Sequence, residues 1–101
     1  MMYKLDGKVA VKCEDQNDWA SWFSKTDRTV ANDVIGDSRI STVFLGFDHS
    51  LKTDPWFEGE PILFETMVFG GELDGEQVRC STWEQAEEMH KHMCEQVKKA
   101  S

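Results

Sequence analysis

Residues 61–99 constrain the fold more tightly than any other part of the chain. The run PILFETMVF at 61–69 is apolar, rich in β-branched and aromatic residues, and closed by Gly70 and Gly71. Alternate positions read Ile62, Phe64, Thr66, Val68 on one side and Leu63, Glu65, Met67, Phe69 on the other. Both sides are largely apolar, which places this strand in the interior of a sheet. GGELDG at 70–75 reads as a turn, and 76–80 as a further strand. A helix follows. Thr82 stands as its N-cap and Gln85, three residues on, completes a capping box. Trp83, Ala86, His90, Met93 and Val97 recur at spacings of three and four and form one stripe. Glu87 with Lys91, and Glu95 with Lys99, are i, i+4 pairs on the solvent side.

The chain before residue 61 reads less sharply. YKLDGKVAV at 3–11 alternates around Asp6-Gly7, which suits either a hairpin or a single kinked strand. Asp15 caps a short helix reaching Lys25, with Asp18 adding charge at its start. Trp19, Trp22 and Phe23 share a face of that helix, and core packing accounts for them. Residues 28–34 form a weak strand candidate and 38–47 (SRISTVFLGF) a strong one, with a turn at Ile35-Gly36-Asp37. The 48–60 segment is long for a meander connection and carries Trp56 and Phe57. The expected fold is a single α+β domain over residues 1–101. It is an antiparallel β-meander of about four strands, flanked by a short N-terminal helix and a longer C-terminal one.

Composition narrows function mainly by exclusion. The chain is 40% hydrophobic and 11% aromatic, enough to build a core rather than remain disordered. Nineteen acids against eleven bases give a net charge of −8, which disfavours nucleic-acid backbones and anionic membranes. Cys13, Cys80 and Cys94 are odd in number and widely spaced, so neither a disulfide framework nor a CxxC site is present. With no apolar run long enough to span a bilayer and no hydrophobic signal core in MMYKLDGK, a cytoplasmic location is expected. No phosphate loop, dinucleotide fingerprint, nucleophile elbow or HExxH is present, and no cofactor is implied.

A few residues stand out chemically. Glu65 interrupts the interior strand, and an unpaired buried carboxylate is costly. Arg39 and Arg79, on the strands expected beside it, are the available cations. An Arg39–Glu65–Arg79 cluster would be a structural ion pair or the floor of an anion site. His90 lies on the buried stripe of the last helix and His92 on its opposite face. A histidine so placed ordinarily makes a hydrogen bond and does no chemistry. His90 and Cys94 are one turn apart, but two ligands do not make a zinc site, and no metal is expected. Asp48-His49 could tune a general base, although adjacent side chains on an extended segment diverge.

The runs STVFLGFDHS (41–50), PILFETMVFGGELDGEQVR (61–79) and STWEQAEEMH (81–90) resemble a family of short proteins encoded by tailed phages and prophages. The opening MYKLDGK and the Trp-rich first helix fit the same pattern. The chain departs from it at Cys80, where an aromatic residue is usual, and in the 48–60 segment. The family has no established activity, so the resemblance implies no catalytic residue. It implies an accessory protein acting on a host, and two routes follow. One is non-enzymatic sequestration of a small anionic or nucleotide signal, with Arg39, His49, Trp56, Glu65 and Arg79 as candidate ligand-binding residues. A homo-oligomer with sites at subunit boundaries is compatible with it. The other is an acidic inhibitor or nucleic-acid mimic that occludes a host defence protein. A hydrolase using Asp48, His49 or Glu65 is the weakest reading.

Overall fold

The computed structural model describes residues 2–49 and 60–100. Its elements follow in the order β1 (Met2–Asp6), β2 (Val9–Cys13), α1 (Gln16–Lys25), β3 (Thr29–Ile35), β4 (Ser38–Phe44), β5 (Phe64–Phe69), β6 (Gln77–Cys80) and α2 (Trp83–Ala100). Strands β3-β4-β5-β6 form a four-stranded antiparallel meander, and β1-β2 a separate hairpin. The α+β architecture is the one the alternation and capping patterns dictate. The apolar β5 is interior, with β4 and β6 on its two sides.

The hairpin alternative for the opening is the one realised. Its pairing closes on Asp6 and Val9, so the turn residues are Gly7 and Lys8 rather than Asp6-Gly7. Gly7 has a φ of 63°, a left-handed conformation that glycine adopts without a Cβ penalty. β4 stops at Phe44, short of the expected 47; beyond it Leu45 still donates its amide to the Leu63 carbonyl at 2.7 Å, while Gly46 and Phe47 meet the hairpin. Tyr3 donates its amide to the Gly46 carbonyl at 2.8 Å, and Met2 bridges to Phe47. The segment just past β4 thus docks the β1–β2 hairpin onto the sheet.

Both helix starts are built as their sequences require. The Asp15 carboxylate accepts from the amides of Asn17 and Asp18. At α2 the Gln85 amide donates to Thr82 Oγ1 at 3.2 Å, while Gln85 Oε1 accepts from the Ser81 and Thr82 amides. The α1 aromatics pack as a unit. Trp19 stacks on Phe23 at 4.5 Å, Trp22 meets Phe44 edge-on, and the Trp19 indole N–H donates to the Tyr3 carbonyl.

One face of the meander is covered by α2. Register places Ile40 beside Val68, Thr42 beside Thr66, and Phe44 beside Phe64 on that face. They meet Ala86, His90, Met93 and Val97, the buried residues of α2. The apolar core divides in two. Tyr3, Phe44, Leu63, Phe64 and Ala86 form one cluster, and Ile40, Val68, Met93 and Val97 the other. Between them lies a buried polar layer of Thr42, Thr66 and His90. Among the described residues no helix is long and apolar enough to cross a membrane.

Candidate functional site

The polar layer is a connected chain of hydrogen bonds. Thr42 Oγ1 lies 2.5 Å from Thr66 Oγ1 and 2.7 Å from His90 Nδ1. The other ring nitrogen, His90 Nε2, lies 2.7 Å from Asp33 Oδ2. Antiparallel pairing of Asp33 with Ile40 turns the carboxylate to the α2 side of the sheet. His90 is 5% exposed, whereas the Asp33 side chain is 59% exposed. The relay therefore runs from the core to the surface. His90 makes a bond at each ring nitrogen, so every polar atom of its ring is satisfied.

Carboxylate, imidazole and hydroxyl stand here in the order of a nucleophilic triad. Burial decides against that chemistry. Thr42 has no exposed surface and its hydroxyl is shared with Thr66, so no acyl or phosphoryl group can reach it. Cys94 adds a further group, with Sγ 3.9 Å from Asp33 Oδ2. Burial pushes its thiol up, and the adjacent Asp33 carboxylate adds to the shift.

The sequence-predicted residues divide. Glu65 and Arg79 pair directly across β5 and β6, with Arg79 Nε donating to Glu65 Oε2 at 2.8 Å. The carboxylate in the interior strand thus has its partner. Arg39 shares that sheet face but sits at its other end, opposite Phe69, where its guanidinium lies 4.5 Å from the ring centroid. Phe69 lies four positions along the strand from Glu65, about 13 Å, so a three-membered Arg39–Glu65–Arg79 cluster does not form. Asp48 and His49 also part company. Asp48 Oδ1 accepts the Ile62 amide at 2.9 Å, while the exposed His49 ring faces the Phe47 carbonyl. Trp56 lies outside the described residues.

An apolar-walled concavity lies elsewhere. It is a cleft of about 370 Å³ between the β1–β2 hairpin and the start of α2. Tyr3, Val9, Leu63, Phe64 and Trp83 supply apolar wall, and Lys8, Glu60 and Glu84 stand at polar positions. Lys8 Nζ lies 5.9 Å from the Trp83 ring centroid and 3.9 Å from Glu87. Neither Arg39 nor Arg79 lines it. The α2 stripe already contained Trp83, but only the docking of the hairpin makes that residue a cleft wall. Comparison of the chain with protein-family models, with curated proteins and with solved structures finds no match.

Proposed function

We propose that the chain is a non-enzymatic binding domain for a small anionic ligand carrying a planar group, received in the cleft between the β1–β2 hairpin and α2. The juxtaposition of the Trp83 indole and the Lys8 ammonium carries this reading. An aromatic wall takes a base or similar ring, and a lysine at the rim takes a phosphate or carboxylate as a point charge. Glu60 and Glu84 oppose dense negative charge, so a ligand with one or two anionic groups suits the cleft better than a triphosphate. The sequence resemblance to phage-encoded accessory proteins supports a role in sequestering a nucleotide signal of host defence. Titration with cyclic and linear nucleotides is expected to give saturable heat and a change in tryptophan emission, both weakened in Lys8→Glu. A flat response across the panel overturns the reading.

A second reading rests on the acidic surface. Glu72, Asp74 and Glu76 of the β5–β6 turn, with Glu84, Glu87, Glu88 and Glu95 of α2, are all exposed. They favour contact with a basic host protein. Such a complex would weaken steeply with salt; a captured partner retained equally at low and high ionic strength counts against it.

A further inference from the structure

We propose that Asp33, His90 and Cys94 form a binding site for a zinc-class divalent metal ion, with a coordination position open to the groove beside α2. This goes beyond the ligand-binding reading and stands at a different place on the molecule. Three observations carry it. The first is the donor set. One carboxylate oxygen, one imidazole nitrogen and one sulfur lie within 4.8 Å of one another. Carboxylate, imidazole and thiolate together suit zinc and its neighbours and do not suit calcium or magnesium, which take oxygen ligands.

The second is spacing. Tetrahedral zinc, with bonds of about 2.0–2.3 Å, holds its ligand atoms about 3.3–3.7 Å apart. Here Asp33 Oδ2 lies 2.7 Å from His90 Nε2 and 3.9 Å from Cys94 Sγ. The first pair must open slightly and the second close slightly. Asp33, largely exposed on β3, can make that adjustment. His90 and Cys94, at i and i+4 on one helix, already project from the same face.

The third is the support behind the histidine. Thr42 Oγ1 holds His90 Nδ1 at 2.7 Å and is itself tied to Thr66. A metal-bound imidazole needs its proton on the nitrogen away from the ion, donated to an acceptor that fixes the ring. A hydroxyl both donates and accepts, so Thr42 serves His90 Nδ1 in either protonation pattern. With Nδ1 protonated and donating to Thr42, Nε2 presents its lone pair to the ion. Three protein ligands leave a position for water or a ligand donor. It would open onto a groove of about 460 Å³, lined also by Ile35, Lys91 and Lys98.

The test uses the full chain and cobalt(II) as a spectroscopic probe. The expected result is one ion per chain, with a thiolate-to-cobalt charge-transfer band and the visible bands of a tetrahedral ion, displaced by zinc. Cys94→Ser should abolish the thiolate band. Asp33→Asn should weaken binding about tenfold or more. Both positions are at the surface end of the cluster, and far-ultraviolet circular dichroism of each variant checks that the fold is kept. Nitrogen NMR of His90 should show Nδ1 protonated and Nε2 bound in the zinc-loaded form. Absence of the thiolate band overturns the proposal. So does its persistence in Cys94→Ser, which would place the metal on Cys13 or Cys80.

Discussion

At the residue scale the strongest constraint is the satisfaction of buried polar atoms. Thr42 is the middle member of the relay, bonded to both Thr66 and His90. Thr42→Val keeps the volume but leaves the Thr66 hydroxyl and His90 Nδ1 without that partner. A loss of about 1–3 kcal/mol is expected in urea unfolding. The double variant Thr42→Val/Thr66→Val should lose less than the sum of the single changes, because the second removes a group the first had orphaned. Additivity would show that the two hydroxyls are not coupled. Asp27 gives a pH-dependent counterpart at the surface. Its carboxylate accepts the Thr29 amide at 3.0 Å, a bond that holds its pKa below the ordinary value. A lowered folded-state pKa means a contribution present above the unfolded value of about 3.9 and lost as pH falls through the folded one. An NMR titration of Asp27 should therefore show a midpoint below that of a free aspartate, and Asp27→Asn should flatten the acid limb of the stability curve.

At the element scale the Gly70–Gly71 pair joins two turns that are remote in sequence. Gly70 has a φ of 84°, and a Cβ there would collide with the Asp37 carbonyl oxygen. Ser38 Oγ reaches the Gly70 carbonyl at 2.9 Å across the same gap. The β5–β6 turn is thereby seated on the β3–β4 turn. Gly70→Ala meets both a left-handed backbone and a backbone clash, and should cost at least about 1–3 kcal/mol. Gly75→Ala shares the positive φ but meets nothing within 4 Å, so it should cost less. Equal losses would remove the steric part of this account. Gly71, with a φ of 77°, would set a Cβ against the Ser38 hydroxyl, so the first two residues of GGELDG are both held to glycine although only a turn was visible there.

At the scale of the molecule, among the described residues, the two apolar clusters are joined through α2, the paired strands and the polar layer between them. Trp22 and Trp83 pack on the first cluster, and Trp19 packs at a tilt against Phe47, where the segment after β4 docks the hairpin. Helix α2 runs along both clusters. Fluorescence in a Trp56→Phe background thus reports one end, while far-ultraviolet circular dichroism weights the long helix. A single cooperative unit predicts coincident denaturant transitions by the two probes. An earlier fluorescence transition would mean that the hairpin and α1 detach before the meander unfolds. The coincidence is expected because Tyr3 and Ala86, from opposite ends of the chain, share one buried cluster with Phe44 and Phe64.

Local features were legible from the sequence because their causes are local. The capping box at Thr82, the Asp15 cap, the stripe on α2 and the interior character of β5 follow from short-range periodicity and hydrogen-bonding chemistry. The Glu65–Arg79 pair was legible for a related reason. Neighbouring strands of a meander bring a lone, partly buried carboxylate to the cations beside it. Asp33 was not legible. It sits in the weakest strand, and its place beside His90, 57 residues away in sequence, depends on the register that sets it opposite Ile40. Nor could residue types alone reveal that Arg39 turns to Phe69, or that the hairpin makes Trp83 a cleft wall. The sequence by itself determined both helices, the meander strands and the buried face of α2, because those choices minimise local exposure and unpaired backbone. Only the tertiary structure decided which polar residues meet, because strand register and helix docking are fixed by the whole core at once.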